Sequence, residues 1–264
     1  MKLAVNGREA FCHTGNKNSE PGQPALLFIH GAAMDHRVWQ LAAGHFSRQG
    51  CNVIAVDLPG HGLSQGPPLT DIASMSDWLL ALLDALAVPR AILVGHSMGS
   101  LVALDGAARY PDRVQALALV GTTVPMPVST AILSMAGNND PAAFQILTQL
   151  GYSKRYLYGA NTGAGAFMQI NTLRIFEDSA PGVLHTDLSA CSHYQAGLAQ
   201  ASRVSCPALL VLGADDRLTP PDGTGPLRAA LAHAEMVVLP ATGHTIMAEA
   251  HHELVAALHT LLPS

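Results

Sequence analysis

One serine stands between two glycines in the segment Gly95-His96-Ser97-Met98-Gly99, which joins an apolar run to a helical pattern. So sharp a turn between a strand and a helix forces the serine into strained dihedral angles and lifts its hydroxyl above the sheet edge. Side chains at positions 95 and 99 would collide with the adjoining backbone, so both positions need glycine. The helix N-terminus also favours negative charge that develops beside it. The segment therefore predicts a nucleophilic serine.

A serine hydroxyl is a poor nucleophile near neutral pH and needs a base. The last third of the chain offers the partners, because Asp215 and Asp216 follow one apolar run and His244 follows the next. The carboxyl ends of parallel strands meet at one edge of a sheet, so these groups can converge on Ser97 despite their separation in sequence. Either aspartate could orient the imidazole and stabilise its charged form.

The elements that must position these residues are apolar runs alternating with helical patterns. Asn6-Gly7 predicts a hairpin between the first two strands, and the later runs are continuously apolar, as in parallel strands buried on both faces. Eight strands are predicted, at Leu3–Val5, Glu9–His13, Ala25–His30, Asn52–Asp57, Ala91–Gly95, Ala116–Gly121, Ala208–Gly213 and Met236–Pro240. Helices are predicted at Arg37–Arg48, Asp71–Val88 with Thr70 as its N-cap, Met98–Tyr110, Gly223–His233 and Met247–Leu262. This order predicts an α/β fold with helices on both faces of a mostly parallel sheet.

Residues 124–203 interrupt the alternation, since they contain no clear strand pattern. They contain helical fragments at Thr130–Ala136, Ala142–Gly151 and Gly165–Ile175, and a glycine-rich run over 159–165. A loop of that length is improbable in a compact domain, so we expect a helical lid subdomain inserted into a core made of residues 1–123 and 204–264. Seven of the 13 aromatic residues fall in this insertion, namely Phe144, Tyr152, Tyr156, Tyr158, Phe167, Phe176 and Tyr194. They could form the core of the insertion, an apolar lid over a pocket, or both.

The serine motif after the fifth strand, the eight strands and the insertion after the sixth together resemble the α/β-hydrolase family over essentially the whole chain. The resemblance, to a serine esterase-like member, implies a catalytic triad in the chain order serine, acid, histidine. The family's spacing between the acid and its flanking glycine and proline matches Asp216 better than Asp215. The implied triad is therefore Ser97, Asp216 and His244, and His96 is not the base.

The resemblance also implies an oxyanion hole built from two backbone N–H groups. One follows the nucleophile, at Met98, and the other lies in the loop after the third strand, at Ala32. The segment from Asp57 to Ser64 is similar to the family's turn after the fourth strand, and we interpret Asp57 as a structural hydrogen-bonding residue. No metal site and no cofactor are expected, because the histidines lack metal-binding spacing.

These features imply a serine hydrolase that cleaves a small ester or thioester with apolar character through an acyl-enzyme intermediate. Serine at position 97 argues against the related dehalogenases and epoxide hydrolases, which use aspartate there. Hydrolases that cleave carbon–carbon bonds of ring-fission products often carry Asn before the serine and Trp after the histidine. This chain has His96 and Thr245 there, which weakens that alternative, although Asp216-Arg217 resembles those enzymes.

Three further functions are alternatives to ester hydrolysis. The menaquinone-pathway synthases of the family usually carry an arginine shortly after the serine, where this chain has Ser100 and Leu101. Acyl transfer or perhydrolysis would keep the nucleophile and change the acceptor. A non-catalytic ligand receptor could use the same scaffold, because fold alone does not fix function.

Composition limits the partners. Charged residues make up 12% of the 264-residue chain and hydrophobic ones 49%, which excludes disorder, and the longest apolar runs fall far short of the roughly 20 residues of a membrane span. With a net charge of −5 and no basic run, we expect a small-molecule substrate and no nucleic acid. Four isolated cysteines, without CxxC spacing, and a start without an apolar signal region predict reduced thiols in a cytoplasmic protein.

Overall fold

The computed structural model describes residues 1–15, 22–157 and 165–263, and all eight predicted strands are present. They are β1 (Lys2–Val5), β2 (Arg8–His13), β3 (Ala25–Ile29), β4 (Asn52–Val56), β5 (Ala91–His96), β6 (Val114–Val120), β7 (Ala208–Gly213) and β8 (Ala234–Leu239). They form one sheet in the order β1-β2-β4-β3-β5-β6-β7-β8. The first hairpin is antiparallel, and β2 is antiparallel to β4. Every other pairing is parallel, as the continuously apolar runs predict.

Helices cover both faces of this sheet. The helices that connect strands are α1 (Gln40–Arg48), α2 (Ile72–Ala85), α3 (Met98–Arg109) and α10 (Gly225–Ala230), and α11 (Ile246–Glu249) and α12 (His251–His259) follow the last strand. Alternate residues of β3 enter different cores. Leu27 and Ile29 pack in the core on the α2 and α3 side, whereas Leu26 and Phe28 pack in the core on the α1 and α12 side. Burial on both faces is the physical reason for the uninterrupted apolar strands.

The regular elements described between β6 and β7 are all helices. They are α4 (Thr130–Gly137), α5 (Ala142–Gly151), α6 (Lys154–Leu157), α7 (Gly165–Glu177), α8 (Val183–His193) and α9 (Gly197–Ala201). The three fragments predicted there correspond to α4, α5 and α7, whereas α6, α8 and α9 had no prediction. Tyr158, most of the glycine-rich run and the side chain of Phe167 lie outside the described part of the chain.

Several predicted boundaries are wrong for local reasons. Asp71, and not Thr70, caps α2, because its carboxylate accepts a 2.8 Å hydrogen bond from the Ser74 N–H. The last predicted helix divides at Ala250, which has a non-helical backbone (φ −136°, ψ 48°). Strand β8 begins at Ala234 and not at the predicted Met236, because its backbone pairing with β7 begins at Ala234, opposite Ala208. None of the described helices reaches the length and hydropathy of a membrane span.

Candidate active site

Ser97 occupies the turn between β5 and α3 with φ 53° and ψ −119°. A positive φ is uncommon for any residue other than glycine and costs free energy that the surrounding structure must supply. A Cβ at Gly95 would overlap the backbone of Gly99, and a Cβ at Gly99 would overlap the carbonyl oxygens of Ile29 and His30. The predicted need for glycine at both positions is therefore confirmed. The close approach locks α3 against β3 and β5 and holds the serine in its strained turn.

Asp216 and His244 lie against each other at the carboxyl ends of β7 and β8. Asp216 Oδ2 is 2.8 Å from His244 Nδ1, and both residues are 4% exposed. Because an ionised carboxylate can only accept, Nδ1 carries the proton and Nε2 is left as the basic nitrogen. Asp215 is exposed, and its described hydrogen bond is made by its backbone N–H to the Thr242 carbonyl. The geometry therefore places Asp216, rather than its neighbour, behind the imidazole.

The Asp216 carboxylate is held from several sides. Its Oδ1 accepts hydrogen bonds of 2.8 Å from the N–H groups of Leu218 and Thr219, and Oδ2 accepts one of 2.7 Å from the Thr219 hydroxyl. Burial alone would raise the pKa of Asp216, but the interactions with His244 and Thr219 outweigh it and hold that pKa below its ordinary value. The group is thus a fixed anion against the imidazole. Thr219 is a contributor that the sequence spacing did not indicate.

His96 supports the loop that carries His244. Its Nε2 donates a 3.0 Å hydrogen bond to the His244 carbonyl, and the two ring centroids are 4.7 Å apart. Full burial, with repulsion from His244, lowers the pKa of His96 to about 3. His96 therefore stays neutral and serves as a hydrogen-bond donor, consistent with the prediction that it is not the base.

Glu249 supports the same loop and was not predicted. Its Oε1 accepts a hydrogen bond from the Gly243 N–H and its Oε2 one from the Ser153 N–H, each 3.1 Å long. The carboxylate thereby ties the residue before His244 to the segment between α5 and α6. Burial raises the pKa of Glu249 above its ordinary value. No pattern in the sequence marks this residue, since a lone acid in a C-terminal helix is usually on the surface.

The two N–H groups expected to bind an oxyanion come from the loop after β3 and from the first residue of α3. Neither the Ala32 nor the Met98 N–H donates to an acceptor among the described residues. The Gly31 carbonyl accepts a 3.2 Å hydrogen bond from the Met34 N–H and lies 2.8 Å from His30 Nδ1. Both interactions fix the turn that contains Ala32, as expected for the segment beginning at His30.

A cavity of about 250 Å³ joins these groups. Gly31, Ala32, Ser97 and His244 line one side of it. Eight apolar residues from the segment between β6 and β7 also line it and form its apolar wall, namely Met126, Pro127, Val128, Ile132, Leu147, Leu150, Phe176 and Leu188. Phe176 stacks on Phe144, with ring centroids 5.8 Å apart. Two of the seven aromatic residues of the insertion therefore support the apolar wall.

Asp57 forms a separate network after β4. Its Oδ1 accepts from the His36 N–H at 2.7 Å, and its Oδ2 accepts from the Leu63 N–H at 2.9 Å. The prediction that Asp57 is a structural hydrogen-bonding residue is confirmed. Within the described residues, Asp35, His36 and Asp57 bring possible metal-ligand atoms within 4.8 Å of one another. Asp35 pairs with Arg37 at 2.7 Å, and Asp57 pairs with His36. We therefore interpret the three residues as part of a hydrogen-bond and ion-pair network and not as a metal site.

The parallel sheet, the strained turn at Ser97 and the buried pair of Asp216 and His244 are together typical of one family of hydrolases. The model of the alpha/beta hydrolase fold family matches residues 24–250. The chain therefore belongs to the α/β-hydrolase family and is a hydrolase, as its serine motif predicts.

Individual relatives carry different activities. The chain is 31% identical over 246 residues to a pimeloyl-[acyl-carrier protein] methyl ester esterase of Chromobacterium violaceum, covering 89% of this chain and 92% of that protein. It is 30% identical over 260 residues to a 2-hydroxy-6-oxononadienedioate/2-hydroxy-6-oxononatrienedioate hydrolase of Burkholderia vietnamiensis, covering 92% and 88% respectively. An enol-lactonase from Burkholderia xenovorans LB400 superposes with a TM-score of 0.88 at 21% identity over 99% of each chain, which shows the shared fold.

Proposed function

We propose that the protein is a carboxylesterase-type serine hydrolase with Ser97, Asp216 and His244 as its catalytic triad. The observation that carries the proposal is the 2.8 Å pair of Asp216 and His244, which opens on the same cavity as the strained Ser97. We further propose that residues 124–203 are a helical cap over the core formed by residues 1–123 and 204–264. The division into core and cap is supported by the cavity, because its apolar wall comes from residues between Met126 and Leu188.

The arrangement performs acyl transfer to water in two steps. Ser97 Oγ attacks the acyl carbonyl while its proton passes to His244 Nε2, and the carbonyl oxygen becomes an anion held by the Ala32 and Met98 N–H groups. His244 then protonates the leaving alcohol or thiol, which leaves an acyl group on Ser97. In the second half His244 takes a proton from water, whose oxygen attacks the acyl carbon. His244 then returns that proton to Ser97 Oγ as the bond from Oγ to the acyl carbon breaks, which releases the carboxylic acid and restores both residues. Asp216 stabilises the imidazolium in both halves without being protonated itself.

The substrate class follows from the wall of the cavity. An apolar enclosure of about 250 Å³ favours a short to medium acyl chain, whose burial contributes roughly 0.8 kcal/mol per methylene group. The similarity to a methyl ester esterase supports an ester rather than an amide. No cofactor is required by this chemistry. The four unpaired cysteines support the further proposal of a reducing, cytoplasmic environment.

A fluorophosphonate probe and a panel of p-nitrophenyl esters of increasing acyl length test the proposal. We expect covalent labelling at Ser97 and loss of both labelling and ester turnover in Ser97→Ala, with kcat lower by about 10³-fold or more. Ser202→Ala is a matched control, because the hydroxyl of Ser202 bonds the Ala199 carbonyl in an exposed turn. Wild-type protein that neither labels nor turns over any ester, yet is stabilised by an apolar ligand, would establish the receptor alternative instead.

Cleavage of a carbon–carbon bond is the second candidate, and the similarity to the Burkholderia vietnamiensis hydrolase favours it. It is separated from ester hydrolysis by incubating the protein with a 2-hydroxy-6-oxo-dienoate and following the loss of the dienol absorbance. Turnover of that compound at a higher kcat/KM than of every ester would make it the primary activity. Adding an alcohol or peroxide to the ester assay reveals acyl transfer or perhydrolysis as a new product.

A further inference from the structure

Asp187 joins the helices between β6 and β7 to the loop that contains Ala32. It lies on α8 and is fully buried. Its Oδ2 accepts a 2.8 Å hydrogen bond from the Ala33 N–H and lies 2.8 Å from His61 Nε2. Its Oδ1 is buried without a partner among the described residues. A buried carboxylate is costly unless it is paired, so these two contacts are what holds it there.

The hydrogen-bond partners of His61 indicate where its imidazole carries protons. His61 Nδ1 lies 3.0 Å from the Pro59 carbonyl, which can only accept, so Nδ1 carries a proton. A second proton lies between Nε2 and Asp187. Burial would lower the pKa of His61, but Asp187 and the Pro59 carbonyl outweigh that effect and raise it. These partners thus favour the charged form of the imidazole, and the carboxylate oxygen that faces it is also the acceptor for the Ala33 N–H.

Two consecutive peptide planes of the loop are fixed by these contacts. The Ala32 N–H shares a planar trans peptide with the Gly31 carbonyl. That carbonyl is held by His30 and by the Met34 N–H, so the Ala32 N–H points the opposite way. The next plane contains the Ala33 N–H, which Asp187 holds. Ala33 has a φ of 51°, a left-handed conformation that is uncommon for alanine and that the Asp187 contact stabilises.

Packing connects the same two elements. Ala33 and Met34 lie in an apolar cluster whose other buried members, among them Phe176, Leu184 and Leu188, come from the helices between β6 and β7. The loop is thus packed as part of those helices, while Ala32 lines the cavity that contains Ser97. A shift of α8 would remove the anion and the apolar contacts together.

We propose that Asp187 is a positioning residue that makes the proposed cap a structural part of the oxyanion hole. By holding Ala33, it directs the Ala32 N–H at the developing oxyanion only while α8 is seated on the core. The proposal rests on the proposed function, since it assigns a support to that oxyanion hole. It also predicts that the Asp187 contacts act more on transition-state stabilisation than on the binding of a short ester.

Three variants test this proposal. Asp187→Ala removes both contacts, whereas Asp187→Asn keeps an amide oxygen that can accept from Ala33. Asp178→Ala is the matched control, because Asp178 also joins this segment to the core, through a 2.8 Å ion pair with Arg37, but makes no hydrogen bond to Ala32 or Ala33 within the described residues. Since an oxyanion-hole donor acts in the transition state, we expect kcat for a short p-nitrophenyl ester to fall by about 10- to 100-fold in Asp187→Ala with KM changed by less than about threefold. We expect partial recovery in Asp187→Asn and little change in Asp178→Ala.

Hydrogen exchange provides a readout that does not depend on turnover. In Asp187→Ala we expect peptides covering residues 31–36 to exchange at least about tenfold faster, while those covering β5 and α3 keep their protection, which also shows that the variant is folded. Unchanged exchange in 31–36 overturns the proposal, and so does a loss of kcat equal in Asp187→Ala and Asp178→Ala. If wild-type protein lacks both Ser97 labelling and ester turnover, the proposed function fails, and the exchange data still decide whether Asp187 positions the loop.

Discussion

Asp216 and His244 come from the ends of neighbouring strands and meet through a 2.8 Å hydrogen bond whose carboxylate is fixed by three further donors. The pair is almost entirely buried, so water competes little for either partner and the interaction is stronger than a comparable pair on the surface. The geometry fixes the tautomer of His244 and leaves Nε2 for the proton of the nucleophile. A carboxylate held in this way acts through its charge and its orientation.

Asp216→Asn tests the importance of that charge. The asparagine amide keeps the shape of the side chain, but it can donate to Nδ1 and stabilise the wrong tautomer of His244. We expect kcat for a p-nitrophenyl ester to fall by about 10³- to 10⁴-fold, with KM changed far less. Asp215→Asn is the control and should retain wild-type kinetics, because Asp215 is exposed. A larger loss in the control than in Asp216→Asn would reassign the acid.

Gly99→Ala tests the packing beneath the nucleophile. A Cβ there would overlap two carbonyl oxygens of the backbone after β3, which cannot yield as a flexible side chain can. We expect a loss of about 2–4 kcal/mol in the free energy of unfolding, as for other substitutions that create overlap in a well-packed core. Urea unfolding followed by circular dichroism measures it. Gly225→Ala is the control, since a Cβ at Gly225 meets no atom within 4 Å, and equal losses in the two variants would contradict this account of the turn.

The sequence predicted the catalytic strands well because their signals are local. A buried parallel strand must be apolar throughout, and a turn as tight as that at Ser97 needs two glycines, so both features leave a pattern in consecutive residues. Asp216 and His244 could be found because each lies shortly after a strand, Asp216 after the fully buried β7 and His244 after the edge strand β8. The family's spacing favours Asp216 over Asp215, and the hydrogen bond between Asp216 and the imidazole is consistent with that choice.

Two of the supporting residues, Asp187 and Glu249, were missed because they have partners distant in sequence, whereas Thr219 is three residues from Asp216. Asp187 contacts Ala33 and His61, which are 154 and 126 residues away. Its helix, α8, follows Pro181-Gly182 and is rich in Ser, Thr, His and Cys, which are weak helix formers. The packing of that helix on α3 and α4 outweighs this intrinsic preference. Glu249 was missed in the same way, because no neighbouring residue in the sequence indicates that its carboxylate accepts hydrogen bonds from the Ser153 and Gly243 N–H groups.

The cysteines offer a test of burial that is independent of catalysis. Cys12 and Cys191 are essentially inaccessible, and burial raises the pKa of the Cys12 thiol to about 12 and that of Cys191 further still. Because the thiolate is the reactive form, we expect neither to react with iodoacetamide in the native protein. Cys206, which is partly exposed, should be modified first. Peptide mass mapping before and after unfolding measures this, and early modification of Cys191 would show that α8 detaches readily.

The apolar wall of the cavity should set the acyl length. Leu150 lines the cavity near the end of α5 and is partly buried, so Leu150→Trp adds volume at the apolar wall. We expect kcat/KM for a p-nitrophenyl octanoate to fall at least about tenfold while that for the acetate stays within about threefold, since a few lost methylene contacts are worth this much. Leu198→Trp is a matched control, because Leu198 is exposed on α9 and does not line the cavity. If both esters lost activity equally, the wall would act on the geometry of the site and not on the acyl chain, and the substrate class proposed from it would have to be abandoned.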